Sequence, residues 1–177
     1  MSENKNITLP LTKEVAKNLK AGDMCYLTGT IYTARDAAHK RLFDSINKGE
    51  ELPLDLKDII VYYLGPSPAR PGNVIGSAGP TTSSRMDKYT PLLLEKGVRG
   101  VVGKGRRSDA VKAALKDNEG VYFAAIGGAG ALLSKCIKSA EVIAYDDLGT
   151  EAIRKLYVED LPVVVIVDTE GNDLYEA

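Results

Sequence analysis

The chain has 177 residues, of which 44% are hydrophobic and 27% are charged, and its 23 basic and 24 acidic side chains leave a formal net charge of −1. That length suits a single domain over residues 1–177, and the composition excludes collagen-like, coiled-coil and disordered chains. With no overall basic field and no apolar run of roughly 18 residues, the sequence predicts a cytoplasmic protein with no nucleic-acid or membrane partner.

The first half of the chain has the periodicities of alternating strands and helices. They predict, in chain order, strand Ile7–Leu11, helix Lys13–Leu19, strand Met24–Thr30, helix Ala34–Asn47 and strand Ile59–Leu64. Thr33 and Asp36 fit a capping box at the start of the second helix. The proline-rich stretch 65–72 lacks backbone donors, so no regular ladder is expected there.

In the second half of the chain, predicted strands and helices alternate more regularly. This half predicts, in chain order, strand Gly100–Gly103, helix Ser108–Lys116, strand Val121–Ile126, helix Gly130–Ile137, strand Val142–Tyr145, helix Glu151–Val158 and strand Leu161–Asp168. A turn at 169–172 is expected to lead into Leu174 and Tyr175 as a hairpin. This order indicates an α/β fold, and the irregular first half favours layered, mixed sheets over a regular doubly wound sheet.

Rare residue types limit which metal sites and catalytic groups the chain can form. It contains one histidine, His39, and two cysteines, Cys25 and Cys136. These residues cannot form a self-contained zinc or iron–sulfur site, so we expect no metal ligand in this chain. The cysteines fit small buried hydrophobic residues better than a disulfide. A Ser-His-Asp or Cys-His nucleophilic site would have to use His39, and no Gly-x-Ser-x-Gly turn supports one.

The glycine-rich turns carry no nucleotide signature. Gly103-Lys104-Gly105 lacks the upstream glycine and the following Ser or Thr of a phosphate loop. The run Gly127–Gly130 fits a tight strand-to-helix turn better than a ligand cradle. A nucleotide site is therefore not expected.

The positions of three cations indicate an anion site. Arg35 falls in the first turn of the predicted second helix, and Arg85 follows a run of hydroxyl residues, 81–84, that is typical of another helix start. Arginine at a helix N-terminus costs about 0.3–1 kcal/mol unless an anion is also present. Lys104 lies between two glycines that let a ligand approach the backbone. Such groups suit carboxylates or phosphates, although each cation alone could be a solvated surface residue.

Two more residues allow two interpretations each. His39 follows Arg35 by four positions and so shares its helix face, but a lone histidine is more often a packing residue than a catalyst. Thr81 could cap a helix or provide a reactive hydroxyl beside Arg85.

Five segments carry a resemblance to a known family. They are Thr33–Arg41, Tyr63–Pro66, Gly79–Asp87, Gly103–Gly105 and Val165–Asp173, and together they resemble the β subunit of iron–sulfur class I fumarate hydratases and L-tartrate dehydratases. The motifs occur in order over nearly the whole chain, which is more specific than any single motif. In single-chain members this region is the C-terminal domain. The resemblance therefore implies a layered, swivelling β/β/α fold and a split enzyme of which this chain is one half.

The same resemblance implies a four-iron, four-sulfur (4Fe-4S) cluster held by three cysteines of an α subunit, and no cofactor ligand in this chain. The iron without a cysteine ligand would act as a Lewis acid on a dicarboxylate substrate. The implied reaction is the reversible hydration of fumarate to malate. L-Tartrate dehydration is the nearest alternative, and a non-catalytic anion-binding or assembly module is an alternative of another class. Alone, the chain is expected to be inactive and to self-associate through the face meant for the α subunit.

The resemblance also implies roles for individual residues. Fixed cations would stabilise the charge that builds up on the substrate carboxylate when a neighbouring proton is removed. By motif match, that carboxylate clamp consists of Arg35, Arg85 and Lys104. Thr81 matches the residue that transfers the proton, although a threonine hydroxyl is a weak base and needs activation by its neighbours. The candidates for a supporting layer around these groups are His39, Asp36 and Thr82.

Overall fold

The computed structural model describes residues 4–126 and 130–176. These ranges contain seven strands: β1 Asn4–Thr8, β2 Met24–Thr33, β3 Ile60–Tyr62, β4 Gly100–Gly103, β5 Val121–Ala125, β6 Ile137–Ala144 and β7 Ile153–Val167. They also contain five α-helices: α1 Lys13–Lys17, α2 Asp36–Asn47, α3 Thr90–Glu95, α4 Asp109–Asp117 and α5 Gly130–Ser134. The 3₁₀ segments are Ser83–Met86, which we call the site turn, Asp146–Glu151 and Leu174–Glu176.

The strands form one mixed sheet that closes on itself. Strands β1 to β5 lie side by side in chain order and run parallel. Strand β7 runs antiparallel to both β5 and β2, so that β2, β3, β4, β5 and β7 form a barrel-like ring. Strand β6 pairs with the first part of β7. The predicted α/β fold with mixed sheets is confirmed.

Alternate residues of the parallel strands enter two separate cores, as the two-residue side-chain period of a strand requires. Tyr62, Val102 and Phe123 lie in a core with residues of β2 and β7. Their chain neighbours Val101 and Tyr122 lie in a second core, where α2, α3 and α4 contribute apolar side chains: Ala38, Leu42, Leu93, Leu94, Val111 and Leu115. The strands β3 to β5 are thus covered on both sides, which explains their continuous apolar sequence.

The predicted helix Glu151–Val158 is wrong, because this segment is the end of a 3₁₀ turn followed by the start of β7. Ile153, Leu156 and Val158 are buried there. Strand β7 pairs with β2 from Met24↔Val164 to Thr33↔Arg154, so contacts distant in sequence override the local helical pattern. The predicted helix Gly130–Ile137 likewise ends early, and Ile137 starts β6.

The predicted capping box is also wrong. Thr33 lies in β2, where its hydroxyl donates to the Ala152 carbonyl at 3.5 Å and accepts from the Arg154 N–H at 3.1 Å. Helix α2 has Arg35 at its N-cap position, with no side-chain cap bond. Instead, the Glu151 carboxylate accepts from the Ala37 N–H at 3.1 Å, so the helix start is capped by a residue more than a hundred positions away.

The expected turn after β7 is present, but the hairpin strand is not. The Asp168 side chain accepts from the N–H groups of Glu170 and Asn172, both at 3.0 Å, and an antiparallel bridge joins Val167 to Asp173. The chain then enters the 3₁₀ segment Leu174–Glu176. Of the expected glycine turn Gly127–Gly130, residues 127–129 lie outside the described residues, and Gly130 is the first residue of α5. Within the described ranges, every helix is too short or too polar to cross a membrane.

Candidate active site

The residues singled out from the sequence follow the carboxyl ends of three neighbouring parallel strands. Arg35 and Asp36 come directly after β2, Gly65 follows β3, and Lys104 follows β4. Both open α/β sheets and closed α/β barrels commonly bind ligands at the carboxyl ends of their parallel strands. The topology therefore brings three sequence-distant segments to one edge of the ring.

A fourth segment lies across the ends of β3 and β4. The Thr81 N–H donates to the Tyr63 carbonyl at 2.7 Å, and the Ser83 N–H donates to the Lys104 carbonyl at 2.9 Å. Thr82 forms a parallel bridge with Lys104. The backbone before the site turn is thus fixed to the strand ends, which places Thr81, Thr82 and Arg85 next to Lys104.

Asp36 lies between the two candidate arginines. Its Oδ2 accepts from Arg85 Nε at 2.9 Å, and its Oδ1 lies 3.9 Å from Arg35 Nε. Among the described residues, neither Asp36 Oδ1 nor Arg35 Nε has a hydrogen-bond partner, although both atoms are buried. The Arg85 side chain is half exposed, so its pair with Asp36 is screened by water and weak. Asp36 can therefore orient both guanidinium groups without fully neutralising either.

The Arg35 side chain packs over Gly65. A Cβ atom added at Gly65 would lie 2.7 Å from Arg35 Cδ, 3.0 Å from its Nη1 and 3.2 Å from the Thr150 carbonyl oxygen. Only glycine leaves the guanidinium in this place without displacing it. The sequence contained this signal, a glycine directly after a buried strand, but gave no reason to connect it with Arg35.

Lys104 is exposed and lies on a closely packed backbone. A Cβ atom at Gly103 would collide with Ser83 Oγ and lie 2.7 Å from Tyr63 Cδ2. Gly105 has φ +88°, a conformation that side chains rarely adopt. Both glycines are thus needed to seat this backbone against the site turn, and the ammonium group of Lys104 makes no ion pair with a described carboxylate.

Thr81 is half-buried, and its hydroxyl makes no hydrogen bond within the described part of the chain. The N-cap of the site turn is Thr82, which is exposed and makes no side-chain cap bond. The interpretation of Thr81 as a helix cap is therefore wrong. Its proton-transfer role stays a prediction.

His39 is buried against the backbone of the site. Its Nδ1 lies 2.8 Å from the Arg35 carbonyl, and its ring packs against Tyr63 and Tyr89 at centroid distances of 5.3 and 6.1 Å. Burial lowers the pKa of His39 to about 4, and the charge of Arg107 acts in the same direction. His39 is therefore neutral at pH 7. It lies buried beneath the turn that carries Arg35 and contacts the backbone of that turn.

The donors of an iron–sulfur cluster do not come together in this chain. Cys25 is buried in β2, and burial, followed by the charge of Asp23, raises the pKa of its thiol to about 12, which disfavours the thiolate that metals bind. Cys136 precedes β6, and burial raises its pKa as well. No group of three or more His, Cys, Asp or Glu side chains in residues 4–126 and 130–176 could hold a metal ion. The described residues thus do not fit a cluster.

Sequence similarity to known proteins places the chain in a family. The model of the family described as "Fumarase C-terminus" matches residues 1–177, and the chain belongs to this family. The anaerobic class I fumarate hydratase of Escherichia coli is 45% identical over 152 residues, which cover 85% of this chain and 28% of that protein.

Relatives differ in how much of their length this chain covers. The "Putative L(+)-tartrate dehydratase subunit beta" of Methanocaldococcus jannaschii is 38% identical over 94% of this chain and 88% of that protein. The "Fumarate hydratase 2" of Leishmania major is 41% identical over 87% of this chain but 28% of that protein. The chain thus spans less than a third of these fumarate hydratases and most of the tartrate dehydratase subunit. All are named as hydro-lyases or parts of one, so the chain belongs to a hydro-lyase family.

Proposed function

We propose that this chain is the β subunit of an iron–sulfur hydro-lyase that reversibly hydrates fumarate to malate in the cytoplasm. The observation that supports this most directly is the charge at the carboxyl ends of β2 to β4. Three cations, Arg35, Arg85 and Lys104, share one edge. Among the described residues the ion pairs of Arg35 and Arg85 are both with Asp36, so two cations share one carboxylate and Lys104 has no ion pair. A dicarboxylate substrate carries the complementary charge.

The cations would act on the charge that develops during the reaction. Removing a proton next to a carboxylate spreads negative charge onto that carboxylate, and fixed donors stabilise this charge more than that of the resting substrate. Gly65 leaves the space that the Arg35 side chain occupies, and Asp36 orients the Arg85 guanidinium through a hydrogen bond of 2.9 Å. The two guanidinium groups are therefore oriented before the substrate binds.

Thr81 would move the proton. No described residue activates its hydroxyl through a hydrogen bond, but the neighbouring cations favour its deprotonated form. The complementary acid and the far wall of the pocket would come from a partner, since Thr82, Arg85 and Lys104 are exposed in this chain.

That partner would be an α subunit that holds the 4Fe-4S cluster with its own cysteines. Two findings support this arrangement: the relative from M. jannaschii is named as a β subunit, and the E. coli relative is much longer than this chain. The thiols of Cys25 and Cys136 do not fit the cluster. On this proposal residues 1–177 act as one domain, which self-associates through its open site when the α subunit is missing.

The test is reconstitution. The chain is assembled with its α subunit, iron and sulfide are added under anaerobic conditions, and hydration and dehydration are measured with fumarate, malate and tartrate. Brown cluster absorbance and activity should appear together, and neither should appear with this chain alone. A Cys25→Ala/Cys136→Ala variant should keep the absorbance. Loss of the cluster from a folded, assembled double variant, or turnover by this chain without iron or partner, would contradict the split site.

One observation favours L-tartrate as the substrate. The tartrate dehydratase subunit from M. jannaschii matches this chain over 88% of its own length, a larger share than the 28% of the fumarate hydratases from E. coli and L. major. The same substrate panel decides between the two acids. A folded, cluster-bearing assembly that turns over none of them would instead favour a non-catalytic anion-binding or assembly module.

A further inference from the structure

Arg107 is a buried cation in the connection between β4 and α4, and it is not among the residues singled out above. Its side chain is 0% exposed. Nε donates to Asp87 Oδ1 at 2.7 Å and Nη2 donates to Thr90 Oγ1 at 2.9 Å. The guanidinium carbon lies 4.8 Å from the ring centroid of Tyr122 and 5.1 Å from that of Tyr63. Nη1 has no hydrogen-bond partner among the described residues.

The contacts of Arg107 connect both ends of the site turn to the end of β4. After the turn, Asp87 Oδ2 accepts from the Ser108 N–H at 3.0 Å, so Asp87 joins Arg107 and Ser108 to the turn. At its start, Ser83 Oγ lies 2.8 Å from the Tyr122 hydroxyl, which donates to the Gly105 carbonyl at 2.8 Å. The Tyr122 ring packs on the Arg107 guanidinium, so one cation contacts both sets of bonds.

Stability alone does not explain this cation. A buried ion pair is often no more stabilising than apolar side chains of the same volume, because both charges lose their hydration. Burial opposes the charged form of Arg107, yet Tyr63 and Asp87 hold its pKa above the ordinary value. A planar guanidinium with several fixed donors does supply geometry that an apolar side chain cannot.

We propose that Arg107 is a positioning residue that sets the distance between Arg85, on the site turn, and Lys104, at the end of β4. It acts through Asp87 and Tyr122 and does not touch the ligand. The inference rests on the proposed function, because it assigns Arg85 and Lys104 to one anionic substrate. Without Arg107 the two cations would each remain charged, but their separation would vary.

The test compares two arginines in the assembled αβ complex. Arg107→Met keeps a side chain of similar volume and removes the planar guanidinium with its fixed N–H donors. Arg99→Met is the matched control, because Arg99 is also largely buried and paired with one aspartate, Asp58, but at the opposite end of β4. In Arg107→Met the KM for fumarate should rise about 10-fold with a smaller change in kcat, since a misplaced clamp weakens binding. Arg99→Met should keep both constants near wild type.

Amide hydrogen exchange gives a readout that does not depend on turnover. Arg107→Met should speed exchange about 10-fold in peptides covering 81–90 and 104–110, where the site turn is bonded to the end of β4. Arg99→Met should not affect these peptides. If Arg107→Met does not fold, Arg107→Lys should fold. Its exchange rates and its KM should lie between the wild-type values and those expected for Arg107→Met, since an ammonium group replaces the charge of the guanidinium but not its planar set of donors.

Unchanged exchange and an unchanged KM in a folded Arg107 variant would overturn the proposal. So would equal effects of the Arg107 and Arg99 substitutions, which would indicate a general loss of stability. A wild-type complex inactive on every acid tested would remove the proposed function, whereas the exchange comparison would still decide whether Arg107 holds the site turn.

Discussion

Arg99, at the amino end of the parallel strands, differs from Arg35 and Arg85, at the carboxyl end, in how many of its donors form hydrogen bonds. At the amino end, Arg99 donates to Asp58 Oδ1 from Nε at 3.1 Å and from Nη2 at 2.9 Å, and its Nη1 donates to the carbonyls of Asn118 and Glu119. It thereby joins the segments that lead into β3, β4 and β5. At the carboxyl end, Arg35 Nε has no hydrogen-bond partner among the described residues, and Arg85 shares one carboxylate with it.

Residue type and closeness to a strand end do not distinguish these arginines, since all of them lie next to one end of a strand or the other. What differs is how many of their donors are already used. Arg99 uses four of its five N–H donors in hydrogen bonds within the chain, which is typical of a structural residue. Arg35 and Arg85 keep donors free, and the chain fixes their positions through Gly65 and Asp36 without neutralising them. This pattern is what a preorganised anion site requires.

The largest expected effect at the carboxyl end comes from Thr81. Thr81→Val preserves the volume and removes the hydroxyl, while the N–H bond to Tyr63 remains. If Thr81 moves the proton, kcat of the assembled enzyme should fall about 100-fold or more, as general acid–base contributions predict. A dicarboxylate inhibitor should still bind, because the cations are untouched.

Thr30→Val is the matched control for Thr81, since Thr30 lies within β2, where it pairs with Tyr157 of β7, and is not one of the candidate site residues. Its turnover should stay near wild type. If Thr81→Val kept most of its turnover, Thr81 would serve only through its backbone bond.

Replacing either clamp arginine should have the next largest effect. Arg35→Met and Arg85→Met should each lower kcat/KM by the equivalent of about 2–5 kcal/mol, the range for removing one partner of a close charge pair. Arg41→Met is the control: Arg41 pairs with Asp147 through two bonds of 2.8 Å on the surface and is not part of the proposed clamp. Steady-state kinetics on folded, assembled variants measure the effect. Near-normal turnover in Arg35→Met or Arg85→Met would remove that residue from the clamp.

The sequence predicted which cations lie together at one edge of the sheet, but it did not predict which residues position them. Arg35 and Lys104 follow buried strands that run parallel, so their meeting at one sheet edge follows from topology once the strands are correct. Arg107 was not predicted as a site residue, because a buried arginine looks like a surface arginine in sequence. Its role depends on Asp87 and Tyr122, which only the folded chain brings to it.

The errors have the same physical origin. Glu151–Val158 has a helical pattern, but pairing with β2 turns most of it into strand. The helix α2 is capped by Glu151 instead of a neighbouring side chain, and Thr33 bonds to β7 instead of α2. Local patterns were therefore reliable where both faces of a strand are apolar, and failed where a distant partner decided the structure.

A smaller effect on turnover is expected at Gly65. In Gly65→Ala the new methyl group would meet Arg35 Cδ at 2.7 Å, so the guanidinium must move and kcat/KM should fall about 10-fold. Gly79→Ala is the control, since the nearest atom to its added Cβ is 3.8 Å away, at Gly130. Equal kinetics for the two alanine variants would show that Arg35 does not depend on the space at Gly65.

The smallest effect on turnover is expected at His39, which should instead make stability depend on pH. Its pKa is about 4 in the folded chain against 6.5 for an ordinary histidine. The unfolded chain therefore binds a proton below pH 6.5 that the folded chain does not, so this contribution is complete above pH 6.5 and decreases as the pH falls toward 4. At about 1.4 kcal/mol per pKa unit, the total loss is about 3 kcal/mol.

His39→Gln removes the titration and keeps a donor near the Arg35 carbonyl. Urea unfolding of both chains at pH 7 and pH 5 measures the difference, since the carboxylates contribute equally to both. The wild-type chain should lose about 2 kcal/mol more than the variant over this interval. Activity of the assembled variant should fall less than in either arginine variant, because His39 contacts only the backbone of the clamp. If the stabilities of the wild-type chain and the variant changed equally with pH, the pKa of His39 would be the same in the folded and unfolded chains. Complete loss of activity in a folded variant would show that His39 takes part in the reaction itself.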